Sequence, residues 1–188
     1  MIYTTHYAAP VGDILLASKD NKLIGLWIKG QKDYLESLKE KIEENDKDEM
    51  LMKAKKWLDR YFHNEKPNIE ELDLEPIGSG FRQDVWKILC EIPYGEVVTY
   101  NDIAKEIAKK RGIKKMSAQA VGGAVGHNPI SIIIPCHRVV GTNGSLTGYA
   151  GGIEKKVFLL KHEKVNVDNL FIPKKDSADK DIYLCKSN

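Results

Sequence analysis

The sequence predicts an α/β N-terminal domain, a small antiparallel sheet with helices, followed by a mainly α C-terminal domain with a helix-turn-helix-like unit. Three observations carry this. Residues 2–29 hold three apolar runs separated by turn residues, the pattern of short strands. Residues 64–80 contain Pro67, Pro76, Gly78 and Gly80 and little helical periodicity, which marks a linker and puts a domain boundary near residue 77. Residues 101–126 read as two helices joined by a short, lysine-rich turn.

In order, residues 2–7, 12–18 and 22–29 are expected as strands, with turn chemistry at Pro10–Val11–Gly12 and Lys19–Asp20–Asn21–Lys22. Leu23, Ile24, Leu26, Trp27 and Ile28 are expected to be mostly buried. From Asp33 to Asn45 the residues Tyr34, Leu35, Leu38 and Ile42 fall at helical spacing. A second helix, from about Asp48 to His63, sets Leu51, Ala54, Trp57, Leu58, Tyr61 and Phe62 on one broad face. Phe81–Glu91 is a further short helix, with Cys90 beside its core positions.

Val97–Val98–Thr99–Tyr100 leads into a helix, Asn101–Arg111, that turns Ile103, Ala104, Ile107 and Ala108 inward. Thr99 suits its N-cap, with Asp102 in the first turn. Gly112–Met116 separates it from a second helix, Ser117–Gly126, for which Ser117 is the natural N-cap. Lys105, Lys109, Lys110, Arg111, Lys114 and Lys115 flank the turn, where phosphates could be met. Gly122 and Gly123 in a helix interior cost about 1 kcal/mol each relative to Ala. Approach to a DNA groove and tight packing on a neighbouring element both account for them.

Ile130, Ile132, Ile133 and Ile134 read as a strand or other buried segment whose regular part stops at Pro135, which has no ladder donor. Cys136 then sits at the exit of a rigid apolar element, a good place for a nucleophile; burial in the core is the commoner fate of a free cysteine. Residues 141–152 carry five glycines in twelve positions and form a mobile or backbone-exposing loop. No GK[ST] follows, so it is not a phosphate loop. Ile153–His162 is the closing helix. Residues 164–188 read as a polar, lysine-bearing tail with an apolar island at Leu170–Phe171–Ile172 and a disordered end. The expected domains are thus 1–76 and 77–165, with a tail over 166–188.

The chain has 188 residues, 42% hydrophobic and 30% charged, as in ordinary globular proteins. No apolar run is long enough to span a bilayer, and the N-terminus lacks a signal-peptide core. No membrane association and a cytoplasmic location are expected. Cys90, Cys136 and Cys185 are too scattered for a disulfide scaffold, and no metal or other cofactor is indicated. Residues 1–76 carry 12 Lys and Arg against 16 Asp and Glu, a net −4; residues 77–188 carry 17 against 11, a net +6. A polyanion is therefore expected on the second half.

A free thiol has a pKa of about 8.5, and the thiolate is the attacking species. A nearby histidine can take its proton, and a carboxylate can orient that histidine. His137 is adjacent, but neighbouring side chains on a strand point apart, so contact with Cys136 needs a bend or a bridging water. Glu163 is the closest downstream carboxylate in a structured context, and reads equally as an ordinary surface glutamate.

Pro135–Cys136–His137–Arg138–Val139 matches the signature of the methylated-DNA–protein-cysteine methyltransferases, or O6-alkylguanine-DNA alkyltransferases. Gly95–Glu96–Val97–Val98–Thr99–Tyr100 resembles the segment ahead of that family's helix-turn-helix, and Ala120–Val121–Gly122–Gly123–Ala124 its recognition helix. Asn128–Pro129 resembles its asparagine hinge, Tyr149–Ala150–Gly151–Gly152 its pocket loop, and His162–Glu163 its terminal His-Glu. The pieces follow the family order from about residue 79 to 163, while residues 1–76 resemble its N-terminal domain more weakly.

The resemblance implies an RNase H-like N-terminal domain and a winged helix-turn-helix-like unit. It implies a monomer that binds duplex DNA through the minor groove and flips out an O6-alkylguanine, with O4-alkylthymine a further candidate. Cys136 would accept the alkyl group irreversibly. His137 would be the base acting through water, Glu163 would orient it, and Tyr100 would protonate the departing guanine. Asn128 would fix the turn, Val139 would lend its carbonyl to the base's amino group, Tyr149 would wall the pocket and the Ala150 N–H would face O6. Arg138 would take a structural ion pair. Ser117, Gln119, Ala120 and Gly123 would meet DNA. Family members commonly carry an arginine where this chain has Gln119. A helix-turn-helix regulator without transfer chemistry would lack Cys136, and a Cys-His hydrolase would not need the helix-turn-helix.

Overall fold

The structure is a computed structural model that describes residues 1–31, 35, 38–173 and 182–183. Strands β1 (Ile2–Ala9), β2 (Gly12–Lys19) and β3 (Lys22–Ile28) pair antiparallel in sequence order. The β2–β3 turn places Asp20 and Asn21 at φ 50° and 59°, a left-handed pair that follows the natural strand twist. A fourth strand, β4 (Ile42–Glu44), lies parallel to β1, giving the order β3-β2-β1-β4.

The sheet is therefore mixed, and the helix expected to reach Asn45 is replaced by strand at Ile42–Glu44. The open edge of β1 explains this. Ile2 N donates to Lys41 O at 2.9 Å and Asn45 N to Thr4 O at 2.9 Å, pairing groups that a helix would leave to water. Tyr34, part of the expected helix, lies outside the described residues. Leu35 and Leu38 pack with Ile2, Ala17, Ile24 and Trp27 in a small cluster of their own. The Trp27 ring lies over Gly25, where a Cβ would come within 1.9 Å of it, so only glycine fits.

Helix α1 (Glu49–Phe62) starts at Asp48, whose carboxylate accepts from Leu51 N at 3.0 Å. It buries Met50, Leu51, Ala54, Trp57, Leu58 and Tyr61. At about 1.5–3 kcal/mol for each large side chain, that face outweighs any propensity term. The stretch after it does not run free. Leu23 N donates to Asp73 O and Glu75 N to Leu23 O, both at 2.8 Å, along β3.

Helices α2 (Gly80–Glu91), α3 (Tyr100–Arg111), α4 (Ala118–Gly126) and α5 (Ile153–His162) follow. Parallel strands β5 (Val98–Thr99) and β6 (Val139–Val140) pair beside them, and β7 (Phe171–Ile172) pairs with β8 (Ile182–Tyr183). Thr99 and Asp102 form a reciprocal capping box on α3, and Gly112 ends that helix at φ 64°. Ser117 Oγ accepts from the backbone N–H of Gln119 and Ala120 at the start of α4. The buried Trp86 of α2 donates its indole N–H to Ala124 O at 2.9 Å, fastening α4 to α2.

The strand reading of one further segment is corrected. Ile130–Ile134 is buried but is not a strand. Ile130 makes one bridge to Leu26, and the chain then coils through consecutive turns with Ile132 at φ 70°. Positive φ at a β-branched residue is strained and persists only where the surroundings fix it. Here Asn128 does so: Oδ1 accepts from Ile130 N at 3.0 Å and Nδ2 donates to Ile134 O at 2.8 Å. The apolar island of the tail is packed against the body of the protein. Leu170 packs with Val140, Leu146, Leu160 and Val165, Phe171 is buried, and Leu146 N donates to Phe171 O at 2.8 Å. The expected disorder at its end falls mostly outside the described residues.

One continuous apolar core joins the two halves, running from Ile14, Leu16 and Leu58 to Ile103, Val121 and Ile133. At its seam Leu26 N donates to Pro129 O at 2.8 Å, and Ser131 N to Leu26 O at 3.0 Å. The edge of β3 thus holds the backbone that leads into Cys136.

Candidate active site

Pro135 bends the chain into a single 3-10 turn, Cys136–Arg138, rather than ending a strand. Cys136 is 4% exposed. Burial pushes its thiol up, while the Asn128 side chain and the charge of Lys156 pull it back down. Cys90 is half-buried on α2 with its thiol pushed up to about 11 by burial, the state of a packing residue.

His137 and Glu163 come together, 26 residues apart, with Nε2 and Oε1 separated by 2.6 Å. Both are buried. Burial alone would raise the Glu163 carboxyl, but His137 and Arg138 outweigh it and hold it well below the usual carboxylate range. An ionised Oε1 requires a proton on Nε2, which leaves Nδ1 as the basic nitrogen. Nδ1 is buried and has no hydrogen-bond partner among the described residues. Burial lowers the imidazole further, against the pull of Glu163, so the ring is neutral and able to accept a proton.

Glu163 is the hub. Arg138 Nε donates to Oε2 at 2.8 Å and Nη2 to Oε1 at 3.0 Å, a bidentate pair. Arg138 Nη1 reaches Ile92 O at 2.6 Å. Gly95 N donates to Oε2 at 3.2 Å from a φ of 82°. Tyr61 Oη donates to Oε1 at 2.7 Å from α1, on the far side of the linker. Its helical spacing marks Tyr61 only as core, so no sequence signal pointed to this bond.

Tyr100 opens α3, with Oη donating to Thr147 O at 3.1 Å, and burial pushes its phenol up to about 12. A Cβ at Gly122 would sit 3.8 Å from the Tyr100 ring, so Gly122 faces a packing neighbour. Gly123 has nothing within 4 Å of that position. It lies on the exposed face of α4 with Gln119 and Ala120, next to the exposed Ser117. Tyr149 is half-buried with its hydroxyl enclosed, and burial raises it well above the ordinary tyrosine range, with Ser131 pulling the other way. Ala150 is exposed at the turn that follows.

Val139 pairs with Val98, and its carbonyl accepts from Lys156 Nζ at 2.6 Å. Lys156 is a buried residue of the site that the sequence reading missed. It is fully buried and also donates to Thr147 O at 3.2 Å. Burial pulls its ammonium down to about 8, with Cys136 pushing the other way. The signal was present: Lys156 lies three residues after Ile153 and three before Leu159, on the apolar stripe of α5.

The arrangement combines an enclosed thiol, a neutral histidine oriented by an ionised glutamate, a buried ammonium and a protonated phenol. That is equipment for nucleophilic attack with proton relay. Among the described residues no group of three His, Cys, Asp or Glu is placed to hold a metal, and no helix is long and apolar enough to cross a membrane.

Comparison with known proteins gives the same picture. Residues 80–165 match the family model described as 6-O-methylguanine DNA methyltransferase, DNA binding domain. Residues 2–76 match that of its ribonuclease-like domain. A methylated-DNA–protein-cysteine methyltransferase of Methanosarcina barkeri is 44% identical over 85% of this chain and 95% of its own. One from Haemophilus influenzae is 39% identical over 87% of each. The solved O6-methylguanine methyltransferase of Mycobacterium tuberculosis superposes with a TM-score of 0.71 at 37% identity, covering 87% of this chain and 93% of that one. The structure of Mycobacterium tuberculosis OGT in complex with DNA matches with the same score and identity, covering 87% and 92%. With both halves matched in order, and with relatives aligned over nearly their full length, the chain belongs to the methylated-DNA–protein-cysteine methyltransferase family.

Proposed function

We propose that this protein repairs duplex DNA by moving a methyl or other alkyl group from O6 of guanine, with O4 of thymine a further site, onto Cys136. The observation that carries this reading is the enclosed Cys136 thiol beside a neutral His137 whose orienting partner is the ionised Glu163. The thiol proton passes through water to His137 Nδ1. The sulfur attacks the alkyl carbon; an S–C bond forms as the O6–C bond breaks, and the electron pair stays on the base. Tyr100, still protonated at neutral pH, returns a proton to the guanine. The product is a thioether, a poor leaving group with no acidic proton, so each molecule acts once.

The flipped base stacks against Tyr149, its O6 faces the Ala150 N–H, and its amino group donates to Val139 O. Asn128 keeps the turn that leads to Cys136 closed. Ser117, Gln119, Ala120 and Gly123 meet the minor groove, and Gln119 fills the gap left by the base. The chain acts as a cytoplasmic monomer of two parts, 1–76 and 77–165.

Intact-protein mass spectrometry after incubation with an O6-methylguanine duplex tests this. One methyl adduct is expected, located on Cys136 and absent from Cys136→Ala. Binding without an adduct, or repeated turnover, would overturn it.

A further inference from the structure

The elbow between α3 and α4 carries a basic groove that the transfer chemistry does not use. It has a volume of about 380 Å³ and is lined by Lys105, Lys109, Lys114, Lys115, Asn101 and Met116. All four lysines are exposed, and none has an ion pair among the described residues. Their neighbours differ. Lys110 is bound to Glu106 at 2.9 Å, and Arg111 to Asp84 at 2.7 Å. Asp102, the carboxylate that feels Lys105, is occupied by Thr99 through Oγ1 at 2.6 Å and the backbone N at 3.1 Å. The fold thus neutralises two cations of this stretch and leaves four open around one groove. The negative end of α3 favours a lysine at position 109, but Lys114 and Lys115 lie beyond that helix.

We infer that this groove is a second DNA contact, a clamp on the phosphodiester backbone flanking the site where α4 enters the groove. The inference rests on the proposed action on duplex DNA and adds its backbone partner. Lys114 and Lys115 lie three and two residues before Ser117, the N-cap of α4, and the exposed face of that helix begins at Gln119. A duplex meeting Gln119, Ala120 and Gly123 therefore carries its adjacent phosphates past these lysines. Such contacts set position and affinity, and they read no sequence.

Each phosphate neutralised adds about 0.9 to the slope of log affinity against log salt. The test compares the wild-type chain with the Lys105→Gln/Lys109→Gln/Lys114→Gln/Lys115→Gln variant. Binding to an unmodified duplex is followed from low to high salt, and alkyl transfer from free O6-alkylguanine base is measured in parallel. The expected result is a slope shallower by about 3 to 4, with transfer from the free base unchanged and transfer from duplex restored at saturating DNA. A control changes Lys41, Lys47, Lys53 and Lys56 to Gln, the same loss of charge on the N-terminal half, and is expected to shift the slope by less than about 1. An unchanged slope in the elbow variant, or an equal shift in the control, overturns the inference. Loss of transfer in the wild-type chain would instead sink the proposed function.

Discussion

Tyr61 and Glu163 stand 102 residues apart and share a buried 2.7 Å hydrogen bond, which ties the first helix of the N-terminal half to the carboxylate that orients His137. Tyr61 also stacks on Trp57, with ring centroids 5.6 Å apart. Tyr61→Phe keeps the ring and removes only the donor. A hydrogen bond to a charged group contributes about 1.5–3 kcal/mol, so urea unfolding is expected to show a loss of that size. Alkyl transfer should fall only a few fold, because four donor contacts to Glu163 remain.

Acid should weaken the fold in two steps of the same sign. The folded His137 lies below its ordinary 6.5, so its contribution is complete above that value and is lost as pH falls through it. The folded Glu163 lies far below its ordinary 4.5, so a second loss begins as pH drops below that. Glu163→Gln leaves the Arg138 guanidinium buried without its counter-charge, a cost of about 3–5 kcal/mol near neutrality. It should also flatten the stability curve below pH 4.5. Urea midpoints measured across pH check both statements.

Lys156→Met separates stability from activity. Burying the ammonium is unfavourable, as its descent from 10.5 to about 8 records, while its two hydrogen bonds act in the opposite sense. The two effects offset, so the unfolding midpoint at pH 7 should move little. Transfer should slow about tenfold, the effect of about 1.4 kcal/mol on a barrier, because the Cys136 thiolate loses the cation that favours it. The wild-type rate should also decline as pH rises through about 8, and the variant should lack that limb.

Gln119 is exposed on α4 and uncharged. Gln119→Arg is expected to tighten binding to a lesion duplex about fivefold, the equivalent of roughly 1 kcal/mol, and to speed transfer at limiting DNA. Identical affinity and rate in both proteins would remove Gln119 from the flipping step.

Much of this was legible from local chemistry. Thr99, Ser117 and Asp48 cap the helices that the spacing of apolar residues outlined, because caps and periodicity act within one turn of chain. What was illegible depends on partners far away in sequence. Ile42–Glu44 becomes strand because β1 offers an edge. Ile130–Ile134 has the composition of a strand, but Asn128 satisfies its backbone and coils it. Tyr61 reads as one more core aromatic until α5 brings Glu163 beside it. Lys156 was hidden by its residue type, since a lysine in a charged helix is usually solvated.

The backbone bonds between Leu26 and the residues around Pro129 also bear on how the molecule is made. Strand β3 leaves the ribosome about a hundred residues before Pro129 does. Until then β3 waits with Leu23 covered by the connection near Asp73 and with Leu26 still bare, an open edge able to pair with a neighbouring nascent chain. Arrival of Pro129 and Ser131 closes that edge and, in the same event, sets the turn that carries Cys136. The interval before Pro129 arrives is thus the period in which the β3 edge lies open to pairing with another chain.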